Sequence, residues 1–305
     1  MKLAAARLAG FPLFFTVAIL TAGSANAVIV GGTLGTGNNN SDPAVLQSWL
    51  ASNSYSSFGY WDNLVSVSDA SGVYLGYNAT SMTGWVLSAA HISPAGSITV
   101  AGSTYTVSQT YAVGTTDLIL YEIGGLGDPA LPTLPTVPLA SVTATAGEFT
   151  LMTGRGSTSS TSAPYPWSGA GVMRWGTNRV QDVAIYDLDP GPSSNLATYV
   201  RTDFDAPTPP PNTTAYEAQG SVGDSGGGLF IYRGGAWVLG GIAHFVDDPD
   251  EDPTNPSEYG DLTAYSDVFT NRTLINNITG TLIPEPSSAM LLAGGALGLV
   301  IRRRR

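Results

Sequence analysis

From Leu64 to Tyr121 the chain alternates apolar and polar positions in short runs divided by glycine, serine and asparagine: Leu64–Val67, Gly72–Leu75, Trp85–Leu87, Ser97–Val100, Thr104–Val107 and Leu118–Tyr121. A period of two sends alternate side chains to opposite faces of a strand, and six such strands at close spacing predict a barrel over 64–125. Residues 124–138 hold three glycines and four prolines. Proline cannot donate to a ladder, so this run predicts an extended linker. A second set of strands is predicted within 139–280, with cores at Phe149–Met152, Gly171–Trp175, Ala197–Arg201, Gly227–Tyr232 and Ala236–Ile242. Helical spacing occurs at Val45, Leu46, Trp49 and Leu50, opened by Ser41-Asp42-Pro43, and again at Val268, Phe269, Leu274, Ile275 and Ile278, closed by Gly280. Residues 28–63 therefore read as an N-terminal linker with one short helix, and the second barrel ends in a terminal helix.

Two further apolar runs lie at the ends. Lys2 and Arg7 precede the run Phe11–Thr21 and then Ala25-Asn26-Ala27, the pattern of a secretory signal over 1–27. At the other end Pro284-Glu285-Pro286 precedes the mostly apolar Ser288–Ile301 and four arginines. As a helix that run is only about 21 Å long, short for a bilayer core of about 30 Å.

Between these ends the chain has 22 acidic side chains against six arginines and no lysine, a net −16. Nucleic acid is excluded as a partner at that balance. The absence of cysteine removes disulfides, thiolate metal sites and a cysteine nucleophile. Asp247-Asp248-Pro249-Asp250-Glu251-Asp252 lacks the spaced ligands and glycine of a calcium loop and reads as a solvated acidic loop.

The chemistry centres on Gly223-Asp224-Ser225-Gly226-Gly227. Glycines allow a sharp turn whose N–H groups converge on one spot, as stabilising the oxyanion of acyl transfer requires. A serine hydroxyl needs a base, and the chain has two histidines, His91 and His244. His91 closes the run Gly84–Ala90, whose last residues are small. Asp117 stands at the mouth of the apolar Leu118-Ile119-Leu120 and could orient an imidazole.

In this order the three motifs resemble those of the chymotrypsin/trypsin-like serine peptidases, over roughly Val65–Ile278. Leu151–Gly156 and Leu239–Ala243 are similar to that family's first strand of the second barrel and its groove-lining strand. The resemblance implies an all-β fold of two six-stranded antiparallel barrels with a C-terminal helix. It implies a serine endopeptidase with His91 as base, Asp117 as its orienter, Ser225 as nucleophile and the N–H groups of Gly223 and Ser225 as oxyanion hole. A monomer that needs no metal or organic cofactor and takes polypeptide substrates is expected. An esterase, or a catalytically silent surface or matrix protein on the same fold, is the competing expectation.

Where trypsin itself carries a pocket aspartate, this chain has Gln219, so a pocket for arginine of that design is not expected. Gln219, His244 and Asp261 are the candidate pocket residues, His244 packing or hydrogen-bonding locally at the end of the groove strand with little effect on turnover. Ile29-Val30-Gly31-Gly32 resembles the family's activated terminus, whose ammonium meets the aspartate before the nucleophile, here Asp224. Val28 stands one residue in excess. The C-terminal run 284–305 resembles the PEP-CTERM sorting signal of Gram-negative bacteria. That resemblance implies export to the cell surface, outer envelope or medium, transient anchoring by the C-terminal helix, and a sorting peptidase that cuts the tail.

Overall fold

The computed structural model describes residues 28–31, 40–156, 171–187, 196–207, 213–247, 258–280 and 282. The signal segment 1–27, the acidic run from Asp248 to Asp252 and the tail 284–305 lie outside the described residues. The elements, in order, are β1 (Ile29–Val30), α1 (Pro43–Ser52), β2 (Leu64–Val67), β3 (Ala70–Asn78), β4 (Thr83–Ala89), β5 (Ser97–Val100), β6 (Ser103–Ala112), β7 (Leu118–Ile123), β8 (Phe149–Gly154), β9 (Arg174–Asp187), β10 (Leu196–Asp203), β11 (Ala218–Gln219), β12 (Gly228–Arg233), β13 (Ala236–Asp247), β14 (Leu262–Asp267) and α2 (Val268–Thr279).

β2-β3-β4-β7-β6-β5 close into one antiparallel barrel and β10-β14-β13-β12-β8-β9 into a second, while β1 pairs with β11 outside both. This is the two-barrel, all-β architecture with a C-terminal helix. Closure leaves neither barrel an open edge. β14 was not among the expected strands: Leu-Thr-Ala-Tyr-Ser-Asp has no clean alternation, and it buries Thr263, Ser266 and Asp267 along with its apolar residues. β9 begins at Arg174 and runs well past the expected core, its second half exposing Val183 and Ile185.

Asp42 caps α1, accepting from Ala44 N at 2.8 Å, with Pro43 in the first turn. Leu46 and Leu50 on α1 enter a core shared by both barrels, which includes Val73, Leu87, Phe230 and Trp237. The segment after α1 is bolted on by aromatic contacts. Tyr55 stacks on Phe149 with centroids 4.4 Å apart, and Trp237 Nε1 donates to Ser56 O at 3.0 Å. The Pro-rich connector is packed as well as extended. Leu131 joins the first barrel's core, and Val137 N donates to Leu75 O at 2.9 Å.

Just before β11 lies Glu217, fully buried, accepting from Thr214 N (2.6 Å) and Thr214 Oγ1 (2.7 Å). Burial pushes its carboxyl up to about 8, against the lowering effect of the Thr214 bonds. A carboxyl raised on folding contributes stability that is complete below its unfolded pKa and is lost as pH rises through the folded one. The melting temperature is therefore expected to fall as pH rises from about 4.5 to about 8, and Glu217→Gln to flatten that slope, in thermal unfolding across the range. Asp203, pushed up to about 6 by burial with Asp205 adding to it, contributes in the same direction at lower pH.

Candidate active site

The turn between β11 and β12 takes its shape from close approach to both barrels. Gly226 has φ +84°, and a Cβ there would collide with Ser71 O and Ser88 Oγ of the first barrel. A Cβ on Gly227 would strike Thr153 O of β8. Gly226 N donates to Ala243 O (2.9 Å) and Gly227 N to Asp224 O (2.7 Å), whereas the N–H groups of Gly223 and Ser225 meet no acceptor among the described residues. Ser71 ties this turn to the first barrel. Its N–H donates to Ser225 O at 2.8 Å and its Oγ to Gly223 O at 3.2 Å, while Arg155 N donates to that Oγ at 2.9 Å.

β4 and β7 are paired with Ala89 opposite Leu118, which sets the residues just beyond them, His91 and Asp117, side by side. Asp117 Oδ1 accepts from His91 N and Oδ2 lies against His91 Nδ1, both at 2.8 Å. His91 Nε2 is 2.7 Å from Ser225 Oγ on the other barrel. A carboxylate can only accept, so Nδ1 carries the imidazole proton and Nε2 presents its lone pair to the hydroxyl. The Asp117 side chain is 7% exposed and that of His91 39%. His91 thus faces solvent while Asp117 is shielded. The structure thereby brings together the three residues singled out in sequence, one of them from a different barrel.

Beside them opens a cavity of about 510 Å³, lined among others by His91, Ser225, Val222, His244, Val246 and Thr263. Gln219 and Asp261, candidate pocket residues in the sequence, do not line it. They are buried and bonded to each other, Gln219 Nε2 to Asp261 Oδ2 at 3.1 Å, with Glu258 N on the same oxygen at 2.8 Å. Thr263 of β14 stands at the cavity in their place, its Oγ1 accepting Gly220 N at 2.9 Å. His244 does line the cavity. Its ring stacks on His91 with centroids 4.9 Å apart, Nδ1 is 2.8 Å from Tyr199 OH, and Nε2 is 3.5 Å from Asp117 Oδ2. Burial holds its pKa below the usual histidine range, with Asp117 opposing and His91 adding. His91, Asp117 and His244 bring ligand atoms within 4.8 Å of one another, the one such group among the described residues that could hold a metal ion.

Asp224 borders the cavity as well, but its carboxylate is already bonded. Its carboxylate accepts from Val28 N (3.1 and 3.0 Å), Gly156 N (2.8 Å), Ser221 N (2.8 Å) and Ser221 Oγ (3.0 Å). Val28, rather than Ile29, is thus the residue whose nitrogen meets it, and Ile29 pairs with Gln219 one step further on. Burial pushes the Asp224 carboxyl up to about 6, opposed by the bonds from Gly156, Val28 and Ser221. Neither Tyr199 nor Ser71 carried a motif in the sequence, since each acts through a pairing set by barrel closure.

Residues 282–305 match the PEP-CTERM protein-sorting motif. Among curated proteins none matches the chain. Solved structures resemble it at low identity. Neuropsin, a serine protease of mouse brain, is 17% identical with a TM-score of 0.45, covering 72% of this chain and 96% of its own. A mutant of human heparin binding protein (CAP37) is 18% identical with a TM-score of 0.46, covering 74% and 95%. The Rv3671c protease of M. tuberculosis in its active form is 13% identical with a TM-score of 0.46, covering 80% and 89%. The PEP-CTERM match defines an exported, surface-sorted protein. Among the described residues no helix is long and apolar enough to cross a membrane, and the tail is not among them.

Gly154 tests how the turn is built, because a Cβ there would run into the Asp224 carboxylate. Gly154→Ala is expected to cost about 1–3 kcal/mol in urea unfolding, the usual range for overpacking, and to disturb Ser225 through its neighbour. The same change at Gly125, which meets nothing within 4 Å, is the matched control.

Proposed function

We propose that the protein is an exported serine endopeptidase that works through an acyl-enzyme on Ser225. The observation that carries this reading is the unbroken line from Asp117 Oδ2 through His91 to Ser225 Oγ, with both contacts at 2.8 Å or less. Ser225 Oγ attacks the scissile carbonyl carbon and its proton passes to His91 Nε2. Asp117 stabilises the imidazolium, and the N–H groups of Gly223 and Ser225 receive the oxyanion. Collapse of the tetrahedral adduct expels the amine, which takes the proton from His91. Water, activated by the same histidine, then hydrolyses the ester. The cavity where substrate would sit is lined by the uncharged Val222, Ala243, Val246 and Thr263 together with the acidic Asp69 and Asp224, the carboxylate of Asp224 being bonded to Val28 N.

The same reading sets the mature terminus at Val28. Its φ of +24° is a strained value for a β-branched residue, and φ is defined by the carbonyl carbon of the residue before it. Cleavage after Ala27 abolishes that dihedral and turns a neutral N–H donor into an ammonium facing the buried Asp224. Signal removal would then complete the site without a separate propeptide step.

A fluorophosphonate probe is expected to label the wild-type body at Ser225 and to leave Ser225→Ala unlabelled. Absence of label on a folded wild type would favour the silent surface protein. Asp117→Asn is expected to slow turnover about 10⁴-fold while leaving the melting temperature close to wild type. Amide substrates set beside small esters separate a peptidase from an esterase. A Met-Gly extension ahead of Val28 is expected to depress turnover, and undiminished activity would remove the terminal ammonium from the scheme.

A further inference from the structure

Asp117 has more than one neighbour to satisfy. A carboxylate offers about four lone-pair positions. His91 occupies one on each oxygen, and the third group close by is His244 Nε2 on Oδ2. His244 stands on β13 of the second barrel, whereas Asp117 and His91 belong to the first. Behind His244, its Nδ1 meets the hydroxyl of Tyr199, a fully buried residue on β10. Tyr199 is paired with Ser266 on β14, and Ser266 with Ile242 on β13, so barrel closure determines where that hydroxyl lies.

The tautomer of His244 follows from these contacts. Burial raises the Tyr199 phenol to about 12, so it keeps its proton and can donate to Nδ1. The reverse arrangement would set an Nε2 lone pair against a carboxylate oxygen at 3.5 Å, a repulsive contact. With Nδ1 as acceptor, Nε2 carries the hydrogen, 3.5 Å from Asp117 Oδ2.

Resting on the serine-hydrolase reading above, we propose that His244 is a positioning residue for the reaction, its Nε2–H holding Asp117 in line with His91 while Tyr199 fixes the tautomer that makes this possible. The 3.5 Å separation is long for a hydrogen bond at rest. Contacts of this kind tighten as charge builds in the transition state. A donor from the second barrel limits rotation of the Asp117 carboxylate, which would otherwise carry Oδ2 away from His91 Nδ1. The expected mild effect of replacing His244 is therefore revised.

The test separates the donor from the bulk of the ring. A glutamine amide reaches about as far as Nε2 and an asparagine amide only about as far as Nδ1. His244→Gln is expected to retain turnover within about threefold. His244→Ala and His244→Asn are expected to lose kcat by up to about 10²-fold at little changed KM, the scale of a misplaced catalytic group. Tyr199→Phe is expected to fall between them. A second readout needs no turnover: the low-field proton resonance of His91 Nδ1–H in Ser225→Ala is expected to shift or broaden when His244→Asn is added and to persist with His244→Gln. Unchanged kcat in His244→Ala, or equal losses in Ala, Asn and Gln that track a falling melting temperature, would overturn the proposal. Failure of the serine-hydrolase reading would look different, because wild type itself would not take the fluorophosphonate label while the proton resonance could still report on His244.

Discussion

A buried carboxylate beside Ser225 governs how this chain is arranged. Asp224 is withdrawn from water, and an uncompensated charge there would cost several kcal/mol. Three separate segments bring donors to it: Val28 from the N-terminal strand, Gly156 from the end of β8 and Ser221 from its own turn. Each imposes something on the sequence. β1 must pair with β11 to deliver Val28, Gly154 must lack a side chain, and the turn must double back so that Asp224 faces inward while Ser225 faces out. The conformation of the turn at Ser225 is thus a consequence of satisfying its neighbour.

The barrels meet without covalent help, and two kinds of contact replace it. One is apolar: α1 and the segment from Tyr55 to Trp61 fill the space between barrels with rings, including the edge-to-face pair Phe58 and Phe230 with centroids 4.8 Å apart. The other is polar and lies at the site. Ser71 bonds Ser225 O and Gly223 O, and Ser88 Oγ supports it by donating to Ser71 O at 2.6 Å. Apolar packing resists separation in general but does not specify register, whereas directional bonds do. The polar seam therefore sets where Ser225 lies relative to His91.

Much of this was legible in the sequence, for identifiable reasons. With two histidines in the chain and a glycine-flanked serine, few combinations could supply a base and nucleophile, and the strand-like run before His91 and after Asp117 gave each a place. All six expected strands of the first barrel occur, because short apolar or alternating runs there are set apart by glycine, serine and asparagine, even where β3 and β4 are buried on both faces. The second barrel was harder. β14 buries polar side chains on both sides, so no alternation marks it, and without it Thr263 could not be placed at the cavity in front of Gln219 and Asp261. The register of the N-terminal strand was likewise beyond a motif. Ile29-Val30-Gly31 matched a familiar pattern, but the position of β11 and the depth of Asp224 select Val28.

The two acidic side chains on either side of Ser225 are handled in opposite ways, and the difference bears on how the site responds to its surroundings. Asp224 is held by donors on the second barrel and beside the N-terminal strand, so its state depends on β1 pairing with β11. Asp117 belongs to the first barrel, yet one of its oxygens faces His244 from the second. Ser71 crosses the same boundary in the other direction. Each half of the site is therefore completed by the other barrel, and a shift of a few tenths of an ångström between barrels would alter both the hydroxyl–imidazole contact and the aspartate's support together. Close-packed interfaces move between discrete arrangements rather than deforming continuously. Coupling His91 and Ser225 through such an interface makes their alignment depend on complete docking of the two barrels.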